Sequence, residues 1–263
     1  MRISACCTAV LFSLLTAPAI AQAADGILIT QRVTSGGAPL TVRVQIEATR
    51  TRTEMAGPNG VMNVTIFDSG KQVLYIVDPA RKTYMEMTKA DVDRLSAQMQ
   101  GSMAQMQAQL EKMPPAQRAQ MEAMMKGVQF TRTGSDTVGR WTCDKYDLTQ
   151  GGQKIGEVCS VNLATLGFGA TDFDVMRQMG AFYSAMAPLV PGQLTGVSGI
   201  DQRGSSDFPV KTVMMVPGGG AVTTEVVEAG RQTFPDSLFA VPAGFTKQDI
   251  MGAMGGRGTG AER

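Results

Sequence analysis

Residues Leu40 to Ala48 alternate without a slip. Leu40, Val42, Val44, Ile46 and Ala48 take one parity, and Thr41, Arg43, Gln45 and Glu47 take the other. Successive side chains of an extended chain point to opposite faces, so this stretch has one dry side and one wet side. A strand covered on both faces would read as a continuous apolar run. Alternation instead marks an antiparallel sheet with a single covered face. The rest of the chain therefore has to supply partner strands and a cover for the dry face.

The partner strands are spaced by turn signals about every eight to twelve residues. Ile27–Val33 comes first and ends at Ser35-Gly36-Gly37. Arg50–Ala56, Val61–Phe67, Val73–Val77 and Lys82–Met87 follow, punctuated by Gly57-Pro58-Asn59-Gly60, Asp68-Ser69-Gly70 and Asp78-Pro79. Val128–Thr133, Thr142–Leu148, Lys154–Val161, Phe208–Val216 and Ala221–Glu228 resume the pattern further on. Leu238–Phe245, interrupted by Pro242, reads as a last strand at an edge.

The cover is Thr88–Gly127, a methionine- and glutamine-rich block. Thr88 and Asp91 form a capping-box-like start. Val92, Leu95, Met99, Met103, Met106, Leu110 and Met113 then recur at steps of three and four, which places them in an arc of roughly 80° on a helix. Pro114-Pro115 ends this helix and opens a second, because proline cannot continue a helix but fits its first turn. The second helix puts Met121, Met124 and Met125 on one side and stops at Gly127. A further helix begins near Thr171 and Asp174, with Phe173, Met176, Met179, Gly180, Tyr183 and Met186 as its stripe and Pro188 at its end. Leu189–Gly204 reads as an irregular loop.

A thioether face has two readings. Methionine is flexible and makes adaptable apolar surfaces, in a core or against a lipid-like ligand. Thioethers also select Cu(I), and Met99, Met103 and Met106 are spaced to converge. The chain has no histidine, and the methionines are interleaved with Leu and Val as in ordinary packing. The packing reading is therefore preferred, and neither a metal nor another cofactor is expected.

Residues 1–23 have the pattern of an export signal: Arg2, an apolar run from Cys6 to Leu15 too short to span a bilayer, and Ala21-Gln22-Ala23 as an A-x-A site. The domain is then expected over 24–250, with a lid at 88–127 and a disordered tail over 251–263. No later stretch reads as a transmembrane segment. With Arg2 removed, basic and acidic residues balance and are interspersed, which argues against nucleic acid or an anionic membrane surface as the main partner. Export also implies that the two remaining cysteines, Cys143 and Cys159, are bridged. A three-residue loop at 150–152, pairing Thr149 with Gln153, places them directly opposite each other.

Catalysis needs convergent polar groups, and few are legible. There is no histidine for a triad, and Ser160 and Ser184 have no neighbouring base. Glu54 and Glu86 read as members of a wet sheet face rather than a paired acid site, and no glycine-rich loop opens a helix in a nucleotide-binding setting. The expectation is a protein that is not an enzyme.

Several runs resemble a known family: GPNGVMNVTIFDSGKQVLYIVDPARKTYMEM at 57–87, KMPPAQRAQMEAMMKG at 112–127 and GRWTCDKYDL at 139–148. They resemble an exported bacterial family known only as a domain of unknown function. The closing FPDSLFAVPAGF at 234–245 is similar to the last strand of LolA-like proteins, the periplasmic lipoprotein carriers. The resemblance implies an α+β fold: one curved antiparallel sheet, an open half-barrel, with a helical hairpin and one further helix on its concave face. On this reading the protein is periplasmic and holds a hydrophobic ligand or lipidated chain. The walls would be Val42, Val44, Ile46, Val73 and Tyr75 from the sheet, and Leu95, Met99, Met103, Met106, Leu110, Met121, Met124 and Met125 from the helices. An envelope protein partner is the alternative to a lipid-like ligand, with Cu(I) binding at the methionines as a third reading.

Overall fold

The structure is a computed structural model and describes residues 23–97, 114–115, 127–186, 207–216 and 218–249. All but the last residue of the expected leader, most of the expected lid, and the expected 189–204 loop and 251–263 tail lie outside the described residues. Among the described residues twelve strands form one sheet. They are β1 Ala23–Thr34, β2 Leu40–Ile46, β3 Arg50–Gly57, β4 Gly60–Asp68, β5 Val73–Asp78, β6 Thr83–Thr88, β7 Gln129–Val138, β8 Trp141–Gln150, β9 Gln153–Asn162, β10 Asp207–Met215, β11 Ala221–Pro235 and β12 Thr246–Gln248. The order across the sheet is β12-β6-β5-β4-β3-β2-β1-β11-β10-β9-β8-β7. Every neighbouring pair is antiparallel except β12 with β6. The sheet is open, with β12 at one end and β7 at the other. Two hairpin series, β1 to β6 and β7 to β11, are joined where β1 pairs with β11, residue Ile27 opposite Arg231 and Ile29 opposite Ala229.

A helix α1 occupies 89–97 directly after β6. The predicted capping box is present: the Thr88 backbone N–H donates to Asp91 Oδ2 at 3.0 Å, and the Asp91 N–H donates to Thr88 Oγ1 at 3.2 Å. Hydrogen bonds from Thr88 draw the Asp91 carboxyl below the usual carboxylate range. The second helix, α2, spans Asp174–Met186 and follows a 3-10 turn at Ala170–Phe173.

The face against which α2 packs, the inner face, carries the main core. Register places Ile27, Ile46, Thr51, Phe67, Leu74 and Met87 in one row across β1 to β6. All six are buried, and Phe182 of α2 packs on Phe67 with ring centroids 5.5 Å apart. Toward β10, Phe173 packs on Phe208 at 5.8 Å. The stripe of α2 differs from the expected one: Val175 and Phe182 are buried beside Phe173 and Met179, while Met176 and Tyr183 are only partly buried. The helix is turned because two bulky apolar groups outside the methionine series gain more by burial than the thioethers at its edge.

The outer face is wet at Arg43 but dry at Gln45 and Glu47, which corrects the one-sided reading of β2 over its second half. After β11 the chain makes a 3-10 turn at Asp236–Phe239 and crosses the outer face before forming β12. Phe234, Leu238, Phe239, Val241 and Phe245 pack there on Val64, Ile66, Tyr75, Val77 and Tyr84. This strap buries Gln45 and Glu47 to 6% and 5% exposure. The Glu47 carboxyl, pushed up by burial and pulled down by Arg50, ends above its ordinary value. Leu238–Phe245 is therefore not an edge strand. Its apolar side chains cover a sheet face, and the strand comes later, where Thr246 N–H donates to Lys82 O at 3.0 Å.

Cys143 and Cys159 form a disulfide with their Cα atoms 5.4 Å apart. The hairpin register differs from the expected one. The loop has two residues, Gly151 and Gly152, both at positive φ, so Gln150 faces Gln153. A bulge between Leu148 and Thr149 shifts the ladder, and Cys159 lies opposite Lys145 rather than Cys143.

Candidate ligand-binding surface

The expected walls divide between the two faces of the sheet. Val42, Val44 and Ile46 share a parity and all lie on the inner face, as their pairing with Gln31, Ile29 and Ile27 requires. Ile46 is sealed at 1% exposure and belongs to the core under α2. Val73 and Tyr75 alternate to the opposite side. Leu74 and Ile76 pack with the inner core, whereas Tyr75 packs with the outer cluster, where its ring lies 6.2 Å from Tyr84. A buried run such as Val73–Val77 has no period to tell which parity faces in, and the strap makes both faces apolar. Val73 and Tyr75 therefore do not share a surface with Val44. The inner residue of that strand is Ile76.

Beyond the sealed row, the inner face stays largely apolar but loses its cover. The next row is Ile29, Val44, Thr53, Thr65, Ile76 and Met85. Ile29 is buried, and the other five are half-buried. The row after that runs Gln31, Val42, Met55 and Asn63: Val42 is still buried at 8% exposure, Gln31 is half-buried, and Met55 and Asn63 are exposed, Met55 to 38%. Cover is therefore complete under α2 and patchy beyond it, thinnest on β3 and β4. On the other side, α1 turns Val92 into the inner core at 1% exposure, and Leu95, one turn further, is half-buried. The methionine block therefore begins on the inner face. Met99, Met103, Met106, Leu110, Met121, Met124 and Met125 lie outside the described residues.

The carboxylates singled out in the sequence are tied to cations and lie apart. Glu54 Oε1 accepts from Arg52, and Glu86 pairs with Lys247 of β12 at 3.0 Å. Ser160 is buried. A separate polar cleft of about 480 Å³ lies where the β7–β8 turn meets an irregularity in β11. Arg32, Arg140, Trp141, Lys211, Glu225 and Glu228 are among its lining residues. Its charges are largely satisfied within the protein. Lys211 pairs with Glu225 at 2.9 Å, which raises the lysine above its ordinary value. Arg140 donates to Ala229 O at 3.2 Å and lies 4.9 Å from the Trp141 ring. No local pattern marks this cleft in advance, because β1, β7, β8, β10 and β11 all contribute to it.

Residues 87–245 match the model of a family described as a domain of unknown function, DUF4412. The chain belongs to that family. The DUF4412 segment begins at the end of β6, so it holds the methionine block, β7 to β11, α2 and the strap. No curated protein matches the chain. Among solved structures it is similar to an uncharacterized conserved protein from Thermus thermophilus, with 11% identity over 86% of this chain and 90% of that one and a TM-score of 0.46. It is also similar to the MucA/MucB complex of Pseudomonas aeruginosa, with 10% identity, 82% and 56% coverage and a TM-score of 0.38. A LolA superfamily protein from Nitrosomonas europaea aligns with 6% identity, 84% and 91% coverage and a TM-score of 0.27.

Proposed function

We propose that this DUF4412 protein is an exported, non-catalytic binding protein that holds a hydrophobic or lipid-like ligand between the inner sheet face and the methionine block. The carrying observation is the incomplete cover of apolar side chains on that face. The row under α2 is sealed, whereas beyond it Val44, Ile76 and Met85 are only half-buried and Met55 is more than a third exposed, beside Ile29 and Val42, which are buried. An apolar surface continuous with the core but not closed by it favours an apolar occupant, by about 25 cal/mol for each Å² removed from water. Val92 starts the methionine block on the same face. In this reading Met99, Met103, Met106, Leu110, Met121, Met124 and Met125 form the second wall, whose flexible thioethers fit tails of varied shape. The Cys143–Cys159 bridge and the leader-like first 23 residues fit an oxidising, periplasmic location.

The test is to express the chain with its leader, purify it without detergent, and examine it by native mass spectrometry and solvent extraction. Lipid-like molecules are expected to be retained at near one per chain. Val44→Glu and Met106→Glu should each lose them while circular dichroism stays unchanged. A wild-type protein that is consistently empty would overturn the reading.

A further inference from the structure

The exposed large apolar residues are not scattered. Those of the described residues are Met55, Val61, Met62, Met215, Val216 and Val227. The first five flank two hairpin tips, β3–β4 and β10–β11. Strand register places these tips at one end of the sheet, together with the β1–β2 turn. Thr41 faces Ala56, Gly57 faces Gly60, Val33 faces Leu40, and Thr34 faces Thr223. In sheet order, β4-β3-β2-β1-β11-β10 are six consecutive strands, so the three tips stand side by side.

The same three tips carry no charge. Residues 33–42, 55–67 and 212–224 contain no Asp, Glu, Lys or Arg, in a chain that is 18% charged overall. Each uncharged run ends at a charged residue: Arg32 and Arg43, Glu54 and Asp68, Lys211 and Glu225. Two of the tips are also bound to each other. A Cβ on Gly57 would meet Met62 Sδ at 3.0 Å and Leu40 Cδ2 at 3.2 Å, so these side chains from the β3–β4 and β1–β2 hairpins both lie over that glycine. The tips thus form one ledge with exposed methionine and valine.

We infer that this end of the sheet docks on the surface of a lipid bilayer, with the β1–β2, β3–β4 and β10–β11 tips entering the headgroup boundary. A charge carried below that boundary is costly, and its absence from three separate chain segments is what such a depth requires. The three tips have no cations, and at the β5–β6 turn beside them, at the same end, Arg81 is paired with Asp78 and only Lys82 adds a cation. The surface the tips fit is a zwitterionic one, bound by apolar burial rather than attraction to anionic lipid. The inference stands whether or not the inner face holds a ligand.

The experiment is co-sedimentation of the chain from Ala24 onward with phosphatidylcholine vesicles, with and without added phosphatidylglycerol, at low and high salt. Partition into pure phosphatidylcholine is expected, little changed by salt. Met62→Glu and Met215→Glu should each weaken it at least about tenfold. Val227→Glu, an exposed apolar residue in the middle of β11, should leave it unchanged. All three positions are on the surface, and circular dichroism checks that the variants fold. Three results would overturn the inference. One is no partition into either vesicle. Another is partition that needs phosphatidylglycerol and is abolished by salt. The third is self-association in sedimentation that the tip variants abolish, which would make the ledge an interface between two copies. Retention of lipid in the native mass spectra reads the inner face alone, so either proposal can fail without the other.

Discussion

Glu157 sits between two lysines on neighbouring strands, 2.7 Å from Lys145 and 2.7 Å from Lys154. Hydrogen bonds from Lys145 and then Lys154 bring its carboxyl down from 4.5 to about 2. Because the folded value is depressed, the unfolded chain binds the proton more readily. The stabilisation is therefore complete above about 4.5 and is lost as pH falls toward about 2. All three side chains are about one-third exposed, so solvent screening limits the contribution to below about 1 kcal/mol. Glu157→Gln should lower the urea midpoint at neutral pH, and the difference from wild type should vanish near pH 2. A difference that persisted there would mean that the residue acts through packing. Glu47 has the opposite sign. Its folded value is raised, so it favours the fold at low pH and loses that contribution as pH rises through that raised value.

Two arginines of β3 hold the strap on the outer face. Arg50 bonds Glu47 at 2.6 Å and Asp236 at 2.6 Å, and its guanidinium lies 4.9 Å from the Phe239 ring centre. Arg52 donates to Leu238 O at 3.1 Å and is fixed by Glu54. Arg50→Ala would strand the buried Glu47 carboxylate and free the first turn of the strap, at a cost of about 2–4 kcal/mol. Hydrogen exchange should then rise at the Ala240 N–H, which bonds Ser237 O, and at the Thr246 N–H, while β1 and β11 stay protected. Unchanged exchange at these positions would show that apolar packing alone seats the strap. This element was also the least legible in the sequence. The strands, most of their turns, the cysteine pair and the Thr88–Asp91 cap follow from local patterns that the structure repeats. The strap does not, because an apolar run interrupted by proline looks the same whether it extends a sheet or lies across one. Missing it makes β2 look wet on one side and hides the outward turn of Tyr75. The bulge at Ile155, opposite Leu148 and Thr149, is equally silent, since it lies two residues from the start of β9 and shifts too short a stretch for a change of parity to be read. The inner apolar rows at Val42 and Val44 are legible, but how far α2 covers them is not, because coverage is set by residues more than a hundred positions away.

At the scale of the molecule, the joint between β1 and β11 decides how the sheet behaves. It is the longest pairing in the sheet, from Ala23 opposite Pro235 to Thr34 opposite Thr223, and it links the two hairpin series across about 200 residues of sequence. Each series taken alone would expose a long unpaired strand and half of a core that is continuous across them. Ile27, Ile46, Phe67 and Leu74 belong to the same cluster as Trp141, Val161 and Phe208, with Phe182 of α2 on Phe67 and Phe173 of the preceding 3-10 turn on Phe208. The two series should therefore unfold together as one cooperative unit, and closing so distant a pairing should make refolding slow. The aromatic residues allow a direct check. Trp141, the single tryptophan, lies in β8 and reports on the second series by fluorescence, while Tyr75 and Tyr84 report on the first by near-ultraviolet circular dichroism once the other two tyrosines, Tyr146 of β8 and Tyr183 of α2, are replaced by Phe. Urea titrations followed by the two signals should give superimposable transitions. Replacing Ile29 of β1 with Ala should lower both midpoints by the same amount, a loss of about 2–4 kcal/mol for a large side chain buried to 2% exposure. If the tyrosine signal moved and the tryptophan signal stayed, the sheet would consist of two independently stable halves, and the single domain expected over residues 24–250 would have to be divided at β1.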